Sequence, residues 1–80
     1  MSSTFVLALA YNTYMEFKDR LKELRLSKGL SQMQLSKELK ISQSAIAKWE
    51  LGKTEPTASA IILVATYFQE TADYLLGLED

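Results

Sequence analysis

Four residues punctuate this chain, the single proline Pro56 and the glycines Gly29, Gly52 and Gly77, and the spacing between them admits only short helices. Phe17, Leu21 and Leu24 fall at i, i+4 and i+7, one face of a helix. Thr13-Tyr14-Met15-Glu16 reads as a capping box ahead of them, and Lys28-Gly29 places a cation and then a left-handed stop behind them. A first helix is expected over residues 14–28. Ser31-Gln32-Met33-Gln34 is a second capping box, opening a helix over Gln32–Leu39 whose apolar positions are Met33, Leu35 and Leu39. Lys40-Ile41 is a brief turn. Ser42 caps a third helix, Gln43–Leu51, with Ile46 and Trp49 inward and Gly52 at its end. Thr57 caps a fourth, Ala58–Phe68, burying Ile61, Leu63 or Val64, and Phe68. Thr71 caps a last one over residues 72–76. No stretch sustains the period of two that a strand requires. The expected fold is all-α, five short helices around one core.

Eighty residues, 48% of them hydrophobic, suffice for one domain with a thin core. The longest apolar runs, residues 5–10 and 58–65, fall short of the roughly 18 residues that span a membrane. No cation precedes Lys18, so the first run lacks the charged flank of a secretory signal. Cysteine and histidine are absent, which removes disulfides, thiolate metal sites and imidazole catalysis together. No carboxylate cluster has metal-ligand spacing. These features point to a cytoplasmic binding module rather than an enzyme, without metal or cofactor. The net charge of −1 conceals an asymmetry. All nine cations lie between Lys18 and Lys53, opposed there by Asp19, Glu23, Glu38 and Glu50, for a local +5. From Thr54 onward there is no cation and five carboxylates give −5. Such a domain can turn its basic segment towards phosphate and leave its acidic end in water.

Two short helices joined by a three- or four-residue turn, the second with one polar face, describe a helix-turn-helix. In the second, Gln43, Ser44, Ala47 and Lys48 stay available when Ile46 and Trp49 are buried. A glutamine amide pairs with adenine N6 and N7, a lysine donates to guanine O6 or N7, and the small Ala45 and Ala47 permit close approach. Leu30-Ser31-Gln32-Met33-Gln34-Leu35-Ser36, with Trp49-Glu50-Leu51-Gly52-Lys53-Thr54-Glu55-Pro56 downstream and Asp73-Tyr74-Leu75-Leu76-Gly77 near the end, resembles the lambda-repressor and Cro-type helix-turn-helix family.

The resemblance runs from about Phe17 to Leu78 and implies a compact lambda-repressor-like domain. It implies base reading by Gln43, Ser44 and Lys48, and phosphate contacts from Gln32, Ser42, Lys53 and Thr54. It also implies an ion pair between Arg25 and Glu50 that joins the first and third helices. One departure stands out: relatives usually carry glycine where this turn has Lys40, and a left-handed residue there costs about 1 kcal/mol without it. Residues 14–80 are therefore assigned to the DNA-binding domain. Residues 1–13 are either a leader before a domain beginning at Met15, or an apolar arm that packs on its own domain or on a partner subunit.

The expected partner is double-stranded operator DNA, bound by a homodimer with half-sites about 34 Å apart. The dimer contact is expected on the last two helices, at Tyr67, Phe68, Tyr74, Leu75 and Leu78. A bacterial or phage transcriptional regulator, more readily a repressor, is the reading that results. The alternatives are the antitoxin of a toxin–antitoxin pair, with 5–11 as a toxin-binding segment, and an interaction module that no longer binds DNA.

Overall fold

Each of five helices drives one aliphatic side chain to full burial at a common centre: Leu21, Leu35, Ile46, Val64 and Leu75. The computed structural model describes residues 17–78, and among these the regular structure is entirely helical. The helices are α1 (17–27), α2 (Gln32–Leu39), α3 (Gln43–Leu51), α4 (Ala58–Phe68) and α5 (Ala72–Leu75). The expected capping box at Thr13–Glu16, the beginning of the first helix and the apolar segment 1–13 lie outside the described residues.

Local chemistry explains where the helices begin. The hydroxyls of Ser31, Ser42, Thr57 and Thr71 accept from the backbone N–H of Gln34, Ala45, Ala60 and Tyr74, each at 3.0–3.1 Å. At α2 the Gln34 side chain returns the contact, its Oε1 accepting from Ser31 N–H at 2.8 Å, so the capping box is complete. Glycine in the left-handed region follows α1 at Gly29, α3 at Gly52 and the α5 turn at Gly77. α4 instead ends on Gln69, a non-glycine at φ +58° whose N–H bonds back to the last turn. α5 is one residue shorter than expected because Leu76, at ψ near 0°, already leaves the helical region.

Around the central five pack Phe17, Leu39, Trp49, Ala60, Ala65 and Phe68. Phe17 meets Trp49 edge-on with ring centroids 6.2 Å apart. Two apolar assignments differ from expectation. Met33 is 48% exposed while Ser36 is buried, because Leu35 and Leu39 set the inward line of α2 and Ser36 lies within it. The buried hydroxyl donates to Met33 O at 2.7 Å, so it is not left unpaired. On α4 the choice between Leu63 and Val64 falls to Val64, with Leu63 turned outward and Ile61 half-buried.

Candidate nucleic-acid interface

The α2–α3 turn owes its tightness to a strained residue. Lys40 caps α2 in the left-handed region (φ 58°, ψ 42°), and its N–H and that of Ile41 both return to Ser36 O. The lysine therefore adopts the conformation that a glycine would occupy at lower cost. Ile41, packed against the core, pins the turn, and Ser42 starts α3.

α3 is anchored along one side by Ile46, fully buried, and Trp49. Its opposite side presents Gln43, Ser44 and Lys48, all exposed, with Ala47 half-buried beside them. Ser44 and Lys48 are one turn apart and share a face. The Ser42 hydroxyl is occupied as an acceptor by the cap, which leaves its own proton free to donate. Beyond Gly52, which closes α3 at φ +74°, Lys53 and Thr54 are exposed. The Lys53 N–H is held by Lys48 O at 2.9 Å, so this loop is tied to the last turn of α3.

A polar cluster fixes how α3 sits on α1 and α2. The Glu50 carboxylate accepts from Arg25 Nε at 2.7 Å, from Arg25 Nη2 at 2.9 Å and from Gln32 Nε2 at 3.0 Å. Arg25 Nη1 donates to Leu30 O at 2.8 Å. The two ionic side chains are only 9% and 4% exposed. Hydrogen bonding to Glu50 and its negative charge push the Arg25 guanidinium above its ordinary pKa against the opposing effect of burial, so it is charged at any working pH. Gln32 is thus half-buried and committed through one amide hydrogen to Glu50, with the second hydrogen left over.

Several contacts carry no signal that spacing arguments could reveal. The Lys18 side chain lies over Gly52, where an added Cβ would come within 3.2 Å of Lys18 Cδ. Arg20 stacks on Tyr74 with its guanidinium carbon 4.0 Å from the ring centroid, and Lys28 Nζ sits 4.8 Å from the Tyr67 centroid. These are pairings across helices far apart in sequence. The expected dimer residues separate into two kinds. Phe68 and Leu75 are 9% and 0% exposed, consumed by the protomer's own core, so they offer a second chain almost no surface. Tyr67, Tyr74 and Leu78 keep exposed surface, as do Ile62 and Leu63 on α4.

Two short helices crossing a tight turn, the second locked by its apolar side and polar on the other, define a DNA-binding domain of the Cro/C1-type helix-turn-helix class. The chain belongs to the helix-turn-helix family, whose model matches residues 21–75. It is similar to the HTH-type transcriptional activator BcrR of Enterococcus faecalis, 41% identical over 66 residues, covering 82% of this chain and 32% of that protein. It is similar also to the HTH-type transcriptional regulator AnsR of Bacillus subtilis (strain 168), 39% identical over 61 residues, 76% of this chain and 53% of that one. A third relative is the SPbeta prophage-derived uncharacterized HTH-type transcriptional regulator YonR of the same organism, 35% identical over 60 residues, 75% and 56% of the two chains. The chain spans between about a third and just over half the length of these curated relatives. No solved structure gives a significant match.

Proposed function

We propose that this chain is a sequence-specific regulator of transcription that binds operator DNA by laying α3 in the major groove. The observation that carries the reading is the two-sidedness of α3: Ile46 and Trp49 hold it rigidly while Gln43, Ser44 and Lys48 face outward together. Gln43 pairs with an adenine edge, Lys48 with a guanine edge, and Ser44 with either, each well-made bidentate pair contributing about 1–3 kcal/mol of discrimination. Ser42, Lys53, Thr54 and the spare amide hydrogen of Gln32 contact phosphate and set the depth of α3. The role is one of binding, not catalysis, in keeping with relatives named as regulators. Its place is the cytoplasm, where the operator is.

A homodimer is proposed because one domain of this size reads too few bases, and two-fold symmetry doubles them. Its surface is Tyr67, Tyr74 and Leu78, extended along α4 by Ile62 and Leu63. Repression by occupancy is the role favoured, since it asks for nothing beyond DNA binding. The relative named as an activator favours a second reading, in which occupancy recruits rather than blocks.

Selection of bound sequences from a randomised duplex pool, followed by anisotropy titration, tests the reading. An enriched palindrome bound by the wild type and lost or altered in Gln43→Ala/Lys48→Ala is the expected result. Absence of enrichment at low salt would refute it and leave the interaction-module alternative.

A further inference from the structure

The stripe that α3 presents outward does not end at Lys48. Leu51 is the last residue of α3 and is 64% exposed, more than any other large apolar side chain among the described residues. It follows Ser44 by seven residues, two helical turns, so the two side chains point within about 20° of one another. It lies about 10 Å further along the helix axis, with Ala47 and Lys48 between. Its flanks suit DNA: Lys48 stands one turn before it and Lys53 two residues after it, both exposed. A leucine here is not part of the core, and its neighbour Gly52 has no side chain to cover it.

Resting on the recognition-helix reading above, we propose that Leu51 is a further specificity-determining residue, packing against the C5-methyl of a thymine. The thymine methyl is the apolar group that the major groove displays, so an exposed leucine on the reading face has one complementary target there. With α3 lying along the groove and base pairs rising about 3.4 Å each, that thymine is about three base pairs from the one met by Ser44. The contact needs no hydrogen bond and selects T through the excluded water alone.

The test uses the full chain and the operator selected by the wild type. Each thymine of a half-site is replaced in turn by deoxyuridine, which deletes the methyl and nothing else, and Kd is measured for wild type, Leu51→Ala and Gln43→Ala. One replacement per half-site is expected to weaken wild-type binding about fourfold, the effect of one buried methyl-sized group. That penalty should vanish in Leu51→Ala and persist in Gln43→Ala. The proposal is overturned if no replacement matters, or if the penalty survives in Leu51→Ala. It is likewise overturned if Leu51→Ala weakens all sequences equally, or if its melting falls as a buried leucine's would. A wild type that selects no operator sinks the functional reading as well, whereas a selected operator without this coupling sinks only the role of Leu51.

Discussion

Removing the cation from the Arg25–Glu50 pair should be far more damaging than removing both charges. In Arg25→Met, Glu50 keeps its charge in a site where its side chain is 4% exposed, and loses two of three hydrogen bonds, retaining only that from Gln32. Leu30 O also loses its 2.8 Å donor. Breaking a buried pair this way costs about 3–5 kcal/mol. The pair lies one layer beneath the surface, where the orphaned carboxylate can recruit water, so the lower end applies. A chain of this length is stable by about 4–12 kcal/mol in total, so a loss of about 3 kcal/mol removes between about a quarter and three quarters of it. In Arg25→Met/Glu50→Leu no charge is stranded, and stability should return to within about 1 kcal/mol of the wild type. Urea unfolding followed by circular dichroism, run as a double-mutant cycle, measures this. A single-variant loss below about 1 kcal/mol, or a double variant equal to the sum of the singles, would refute the reasoning.

Lys40→Gly and Gln69→Gly should each stabilise the fold by up to about 0.5 kcal/mol, the relief of a left-handed non-glycine less the entropy glycine adds to the unfolded chain, raising Tm by up to about 4 °C. A fall in Tm for either would contradict the strain assigned to that position. Lys53→Ala should weaken binding to all duplexes alike and flatten the dependence of log K on log salt by about 0.9, the signature of one lost phosphate contact; an unchanged slope places Lys53 off the DNA. Partial desolvation, the charge of Glu38 and the hydrogen bond to it raise the Tyr67 phenol above its ordinary value. Its contribution to stability is therefore complete below the unfolded phenol's pKa and lost as pH rises through the higher folded one. Spectrophotometric titration of wild type against Tyr67→Phe should show that the transition lost in the variant lies above the ordinary phenol value.

The helix boundaries were legible because they are set locally. Ser31, Ser42, Thr57 and Thr71 cap helices by bonds to residues three positions away, and glycine stops act within a turn. What periodicity could not decide was the side of each helix that neighbours claim. Met33 looks as apolar as Leu35, yet only a partner helix selects the line through Leu35 and Leu39. Leu75 was expected at a subunit contact and Phe68 both there and in the core, and the packing of α5 back onto the protomer spends both within the chain. The exposed side of α3, with Gln43, Ser44 and Lys48, was visible in the sequence because Trp49 and Ile46 leave one direction open.

The disposition of charge reconciles an acidic protein with a polyanionic partner. Not every one of the nine cations is available to phosphate: Arg25 is neutralised by Glu50, while Arg20 and Lys28 stack on Tyr74 and Tyr67. Those two stacks join the basic first half to the acidic second half, so the same contacts that use up cations also hold α1 against the C-terminal helices. Lys48 and Lys53 remain exposed on and beside α3. The carboxylates Glu55, Glu70 and Asp73 all follow α3 in the chain, and no carboxylate but the neutralised Glu50 lies on α3 itself. Since screening confines electrostatic attraction to about 10 Å at ordinary salt, what a phosphate meets at the groove is the local charge around α3, not the sum over the chain. The net charge of −1 is therefore no obstacle to phosphate contact beside α3, because the carboxylates that produce it follow that helix in the chain and none but the paired Glu50 stands on it.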